Sequence, residues 1–271
     1  MARLEPMTPT GLIDEAVHVL KARPRTMIAI AACFTIPVGV LVGFLQRHVL
    51  GGVALSDLVN DPSTTDAAAR NDSGAAAALV AVLLPSVLLP FMAAAYAHVV
   101  VGIRLGHEIG AGEALRRSIR RWWALLASWV LVHLAEGAGS FVAIGGVVVM
   151  AFCLVTAPAI ALESLGPLKG IGRSWSLTSR RFPAALGLGL ASGLVAYALG
   201  QALNAVTDLL GLFVGLRVGW VIVAAGRAAT GLVIVPIVAL STVLFYIDLR
   251  VRIEGLDLEI AITDRFERAA A

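Results

Sequence analysis

Three ionisable side chains stand inside otherwise apolar runs: His98, His133 and Glu136. His133 and Glu136 are three residues apart, so on a helix they share one face a turn apart. Such groups among Leu, Val and Ala can move protons or grip a polar headgroup. The plainer alternative puts Glu136 in a wet turn and lets each imidazole bond to a neighbouring helix. Further on, "IDLRVRIE" (Ile247 to Glu254) alternates charge with apolar side chains. Asp248, Arg250, Arg252 and Glu254 could line an active-site strand, or mark where a helix leaves a membrane for water. No other chemistry stands out. Cys33 and Cys153 sit in apolar runs without metal-ligand spacing, and the five histidines are scattered. There is no Gly-rich phosphate loop and no Ser/His/Asp arrangement. No catalytic residue, metal or cofactor is expected.

The elements that hold these residues follow from composition. Of 271 residues, 59% are hydrophobic and only 14% charged, and the mean hydropathy is +0.89. Soluble domains carry about 25% charge. The solvent for this chain is therefore lipid, where each crossing segment must be helical because the bilayer offers the backbone no hydrogen bonds. The expected fold is all-α, a polytopic transmembrane bundle of about six spans with three interfacial amphipathic helices.

Charges mark the span ends at 26–46, 75–103, 122–139, 141–162, 182–206 and 227–247. The run from Trp122 to Leu162 would make about 60 Å of helix, twice the bilayer core, so "EGAGS" (Glu136 to Ser140) is read as the turn that divides it. Residues 1–25 form a cytoplasmic segment and 248–271 a charged cytoplasmic tail. "LLGLFVGLRVGWVIVAA" (Leu209 to Ala225) is apolar but carries Arg217, which is costly at mid-bilayer. It is read as an interfacial or partly inserted helix with Gly211, Gly215 and Gly219 along one face. Gly39 with Gly43, and Gly189 with Gly193, have the GxxxG spacing of close helix packing.

Of the 21 Lys and Arg residues, 17 fall on the side shared by the two termini. By the positive-inside rule both termini are cytoplasmic. Abundant Arg, Ala and Gly with little Lys suit a GC-rich bacterial genome, hence a multi-pass protein of the bacterial plasma (inner) membrane. The acidic stretch "LSDLVNDPSTTDAAARNDSG" then lies outside. The basic clusters face lipid bilayer and anionic headgroups and lack the stacking aromatics of a nucleic-acid surface. A homo-oligomer or a membrane-protein partner is compatible with this.

Three stretches ahead of odd-numbered spans look alike: "LIDEAVHVLKARPR", "EALRRSIRRWW" and "LKGIGRSWSLTSRRF". Each is apolar at i, i+3, i+4 and basic elsewhere, as surface helices in the headgroup layer are. Each even-numbered span carries proline: Pro85 and Pro90, Pro158, Pro236. The plan is three units of surface helix, span, span. Asp248, at the cytoplasmic end of the last span, is expected to pair with Arg180 or Arg181. Other acids there have Arg116, Arg117 and Arg173 within the same layer.

"GLIDEAVHVLKARPRT", "LKGIGRSWSLTSRRFPAALG" and "PIVALSTVLFYIDLRVRIEGLDLE", with its Tyr246-x-Asp248-x-Arg250 ending, together resemble the membrane domain found beside some glycerophosphoryl diester phosphodiesterases. The likeness runs over most of residues 10 to 260. The catalytic barrel of those enzymes has no counterpart here, so the resemblance implies a stand-alone membrane domain without phosphodiesterase activity. The expected function is a non-enzymatic structural or accessory subunit in envelope or lipid-associated assembly. The alternative is a transporter of a small molecule or lipid, using a cavity between proline-kinked spans.

Overall fold

The structure, a computed structural model, describes residues 7–50, 72–142, 144–214 and 216–255. Among these there are ten α-helices and no strand. In chain order they are α1 (Pro9–Ala22), α2 (Pro24–Leu50), α3 (Asp72–Arg104), α4 (Ala111–Ile119), α5 (Trp122–Ser140), α6 (Gly145–Cys153), α7 (Thr156–Glu163), α8 (Pro167–Thr178), α9 (Phe182–Val214) and α10 (Leu216–Glu254). The result is an all-α helical bundle. Five stretches are long and apolar enough to cross a membrane: Pro24–Phe44, Leu83–Arg104, Gly145–Glu163, Pro167–Gly211 and Gly219–Glu254. Helix α5, made more polar by His133, Glu136 and three tryptophans, is not among them.

The helices form three nested sets. The inner set is α3, the α6–α7 pair and α10, which touch one another. Buried residues concentrate there: Met92 to Ala97, Thr156, Ile160, and Ala239 to Leu249. Each helix of the outer set lies between two inner ones. Helix α2 packs on α3 and α10, α5 on α3 and α6–α7, and α9 on α6 and α10. Each surface helix covers the preceding inner and outer elements: α4 on α3 and α2, α8 on α7 and α5, and α1 on α10 and α9. The same relation thus recurs three times around a central axis, and α1 closes the ring. The surface helices also bury matching positions, four residues apart: Leu12 and Ala16, Ala114 and Ser118, Gly170 and Ser174. In each, the first lies three residues after the helix begins.

Local chemistry explains the breaks. Pro158 cannot donate to the carbonyl a turn before it, and the chain leaves the helix at Leu154–Val155. Helix α8 satisfies the freed groups. The Val155 amide donates to Ser174 Oγ at 3.2 Å, and the hydroxyls of Ser174 and Thr178 donate to the Phe152 carbonyl at 2.7 and 3.0 Å. A broken backbone at membrane depth is tolerable where protein supplies such partners. At the close of the chain, "DLRVRIE" is helix, not strand. Helix α10 runs to Glu254 and stops at Gly255, whose φ of 68° is the left-handed conformation a helix C-terminus favours.

Two expected boundaries are corrected. "EGAGS" is not the turn: α5 continues to Ser140, and α6 begins at Gly145. Gly139 serves contact instead, since a Cβ there would stand 2.8 Å from the Gly145 carbonyl carbon. Nor is 209–225 one interfacial helix. It is the corner between α9 and α10, with Gly211 on one arm and Gly219 on the other, backbone against backbone. The acidic stretch at 51–71, Gly215, the side chain of Arg217 and the tail at 256–271 lie outside the described residues.

Candidate functional site

Helix α5 places Trp129, His133 and Glu136 on one face, as their spacing requires. His133 Nε2 stands 4.0 Å from Glu136 Oε2. His133 Nδ1 lies 3.0 Å from the Trp129 carbonyl, so Nδ1 carries the hydrogen and donates. The imidazole also packs on the indole, with ring centroids 4.4 Å apart. These three residues line a cavity of about 380 Å³ between α5 and α9, floored by α3, α6, α7 and α10.

The cavity wall is mainly apolar, and its hydroxyls are already engaged. Ser86, Ser128, Thr156, Ser192 and Thr242 each donate to a carbonyl three or four residues back on their own stretch of chain. They can accept a hydrogen bond but have none to give. Trp129 Nε1–H is different: it is buried and has no acceptor. A molecule that fits meets a mainly apolar wall, with His133 and Glu136 as the polar side. Among the described residues, no group of three or more His, Cys, Asp or Glu could hold a metal.

Compared with protein-family models, with curated proteins and with solved structures, the chain matches none. The site is therefore read from its own geometry.

His133 and Glu136 come together as expected, but His98 does not join them. It lies on α3 toward α4, in the fields of Arg117 and Glu113. The glycine pairs divide as well. A Cβ at Gly39 would meet Ala228 Cβ at 3.1 Å, and one at Gly43 would meet Ala224 Cβ at 2.5 Å, so α2 and α10 touch through small residues. Gly189 faces Met150 of α6 at 2.7 Å, whereas Gly193 has nothing within 4 Å and opens onto the cavity. Gly193 is thus not the packing residue its spacing suggested.

The C-terminal end of α10 carries a second constellation. Asp248 is not paired with Arg180 or Arg181. Arg252, one turn on, holds its two oxygens at 2.9 and 2.8 Å through Nε. The Met7 amide donates to Asp248 at 3.4 Å, and Arg252 donates to the Met7 carbonyl at 3.3 Å. The physical reason is placement: α1, rather than the segment ahead of α9, covers this end of α10. Sequence reasoning passed over Glu163, which accepts from Tyr246 Oη at 2.6 Å and from Arg173 Nε at 2.8 Å. Arg173 also donates to Glu254 at 2.8 Å. These bonds tie α7, α8 and α10 into a closed floor. The available signal was one acid at the end of an apolar run, with Tyr246 at the matching depth of the last span.

Proposed function

We propose that this chain is a multi-pass protein of a bacterial plasma membrane, with six spans and cytoplasmic termini. It holds a lipid-class amphiphile between α5 and α9 and serves lipid-associated assembly at the envelope without catalysing a reaction. The observation that carries the reading is the cavity: an apolar wall, one unpaired donor at Trp129, and a His133–Glu136 pair at one side. Counting about 1.5 Å per residue from Arg121, His133 lies about 18 Å into the membrane. An acyl chain suits the wall, and an ester or phosphate oxygen suits the indole N–H. The 17-to-4 distribution of Lys and Arg supports the orientation. The resemblance to the membrane domain found beside some glycerophosphoryl diester phosphodiesterases is compatible with a stand-alone membrane role.

Transport is the second reading. Pro90 lines the cavity and leaves α3 without one backbone hydrogen bond, the kind of place where a span bends. The closed floor at Glu163 and Arg173 favours holding over passage.

Gly193→Phe tests the proposal, because its ring would enter open space. In mild detergent the wild type is expected to retain a lipid seen by native mass spectrometry. The variant should keep its heat resistance and lose that lipid. Wild type without bound lipid, or a well-folded variant with the same lipid complement, would overturn the reading.

A further inference from the structure

A second cavity, of about 310 Å³, lies on the other side of α9, between it, α2 and α10. Its chemistry differs from that of the first. Gln201, Asn204 and Asp208 reach it from successive turns of α9, and Arg227 from α10. Asn204 Oδ1 and Asp208 Oδ1 are both enclosed, and neither accepts a hydrogen bond. Thr35 cannot help, since its hydroxyl donates to the Ala31 carbonyl at 2.9 Å. Arg227 Nη2 is 4.0 Å from Asp208 Oδ1, close enough to balance its charge but beyond hydrogen-bond reach. The cavity therefore carries both signs and two acceptors that want donors.

Depth narrows the ligand. Arg227 precedes Arg250 by 23 residues on one helix, about 34 Å at 1.5 Å per residue. The bilayer core spans about 30 Å, so if Arg250 marks the cytoplasmic edge the polar end of the cavity lies at the opposite headgroup layer. Val42 and Leu88 continue the wall without polar atoms. A ligand here has a donor-bearing polar head outside and an apolar body in the bilayer. Asp208 prefers a charged donor over a neutral one, and Arg227 prefers an anion close by.

We infer that this cavity binds the headgroup of a phosphatidylethanolamine-class lipid from the outer leaflet, its primary ammonium donating to Asn204 and Asp208 and its phosphate turned to Arg227. The inference is independent of the first cavity. A choline head has the same charges but no N–H, and a glycerol head has donors but no positive charge.

The test places the full-length chain in phosphatidylcholine nanodiscs doped with equal small amounts of phosphatidylethanolamine and phosphatidylglycerol. Lipids retained on extraction are read by native mass spectrometry. Wild type is expected to enrich phosphatidylethanolamine over phosphatidylcholine about tenfold, the effect of one hydrogen bond to a charged group. Asp208→Asn and Asn204→Leu should each bring the ratio toward one. Equal retention of the ethanolamine and choline lipids would overturn the inference, as would preference for phosphatidylglycerol. Should soluble phosphoethanolamine protect the detergent-solubilised protein from heat as well as the lipid does, the assignment to a lipid fails. If Asp208→Asn does not fold, the wild-type preference still decides.

Discussion

Gly43 and Gly193 differ only in what stands opposite them, and that difference can be measured. Both are helical glycines in GxxxG pairs. In a helix with free space, Gly→Ala gains about 1 kcal/mol from reduced backbone freedom. Gly193 has that space, so Gly193→Ala should be neutral or slightly stabilising. At Gly43 the new methyl would stand 2.5 Å from Ala224 Cβ and 3.3 Å from its Cα. Carbon atoms settle about 3.5–4.0 Å apart, so α2 and α10 must separate by about 1 Å. Overpacking of this kind costs about 1–3 kcal/mol. Lipid tails are as apolar as the helices and give little back. At Gly39 the new methyl would stand 3.1 Å from Ala228 Cβ, so Gly39→Ala should fall between. Fluorescence-detected size-exclusion chromatography after heating in detergent reads the order. At about 2–4 °C per kcal/mol for chains near this size, Gly43→Ala should melt several degrees below Gly193→Ala. Equal melting of the two would refute the claim that α2 and α10 are held by contact of small residues.

Two further expectations concern the cytoplasmic side. Asp248→Ala and Arg252→Ala should be strongly non-additive in stability, with a coupling of about 1 kcal/mol or more. Asp248→Ala combined with Arg180→Ala or Arg181→Ala should be additive, and a coupling with either of those arginines would contradict the clasp to Arg252. For orientation, a cysteine replacing Phe141 in a variant lacking Cys33 and Cys153 should react with an impermeant maleimide on intact cells. One replacing His107 should react only after lysis, and the reverse pattern would invert the topology.

What could be read from residues alone was what lipid leaves no choice about. Every apolar run had to be helix, and the Arg-flanked exits of those runs follow from the charges alone. Rotation about each helix axis was not legible. His98 and His133 both stand in apolar runs, yet one turns toward α4 and the other toward the cavity, and no periodicity within one helix distinguishes neighbours on another. The same applies to glycine: spacing shows that a face is small, not that anything lies against it. Asp248 was placed beside the wrong arginines because its partner depends on which surface helix closes the ring. The glycines of "EGAGS" suggested a break, while Gly139 serves the close approach of α5 and α6.

The repetition of surface helix, span, span explains why grooves lie between the outer helices, while the side chains that line them differ. Each outer helix lies between two inner ones, so a groove can form wherever two outer helices flank the same inner element. One cavity lies between α5 and α9, the other between α9 and α2, each where two outer helices flank the same inner element. Repetition therefore accounts for the grooves but not for their contents. Trp129, His133 and Glu136 belong to one repeat, while Asn204, Asp208 and Arg227 belong to another. The inner helices are tied together near the C-terminal end of α10, where Tyr246, Glu163 and Arg173 bond across α7, α8 and α10. On the proposed reading, a ligand in either groove is reached sideways from the bilayer, not along the central axis. That geometry fits a protein that binds what is dissolved in the membrane better than one that conducts what is dissolved in water.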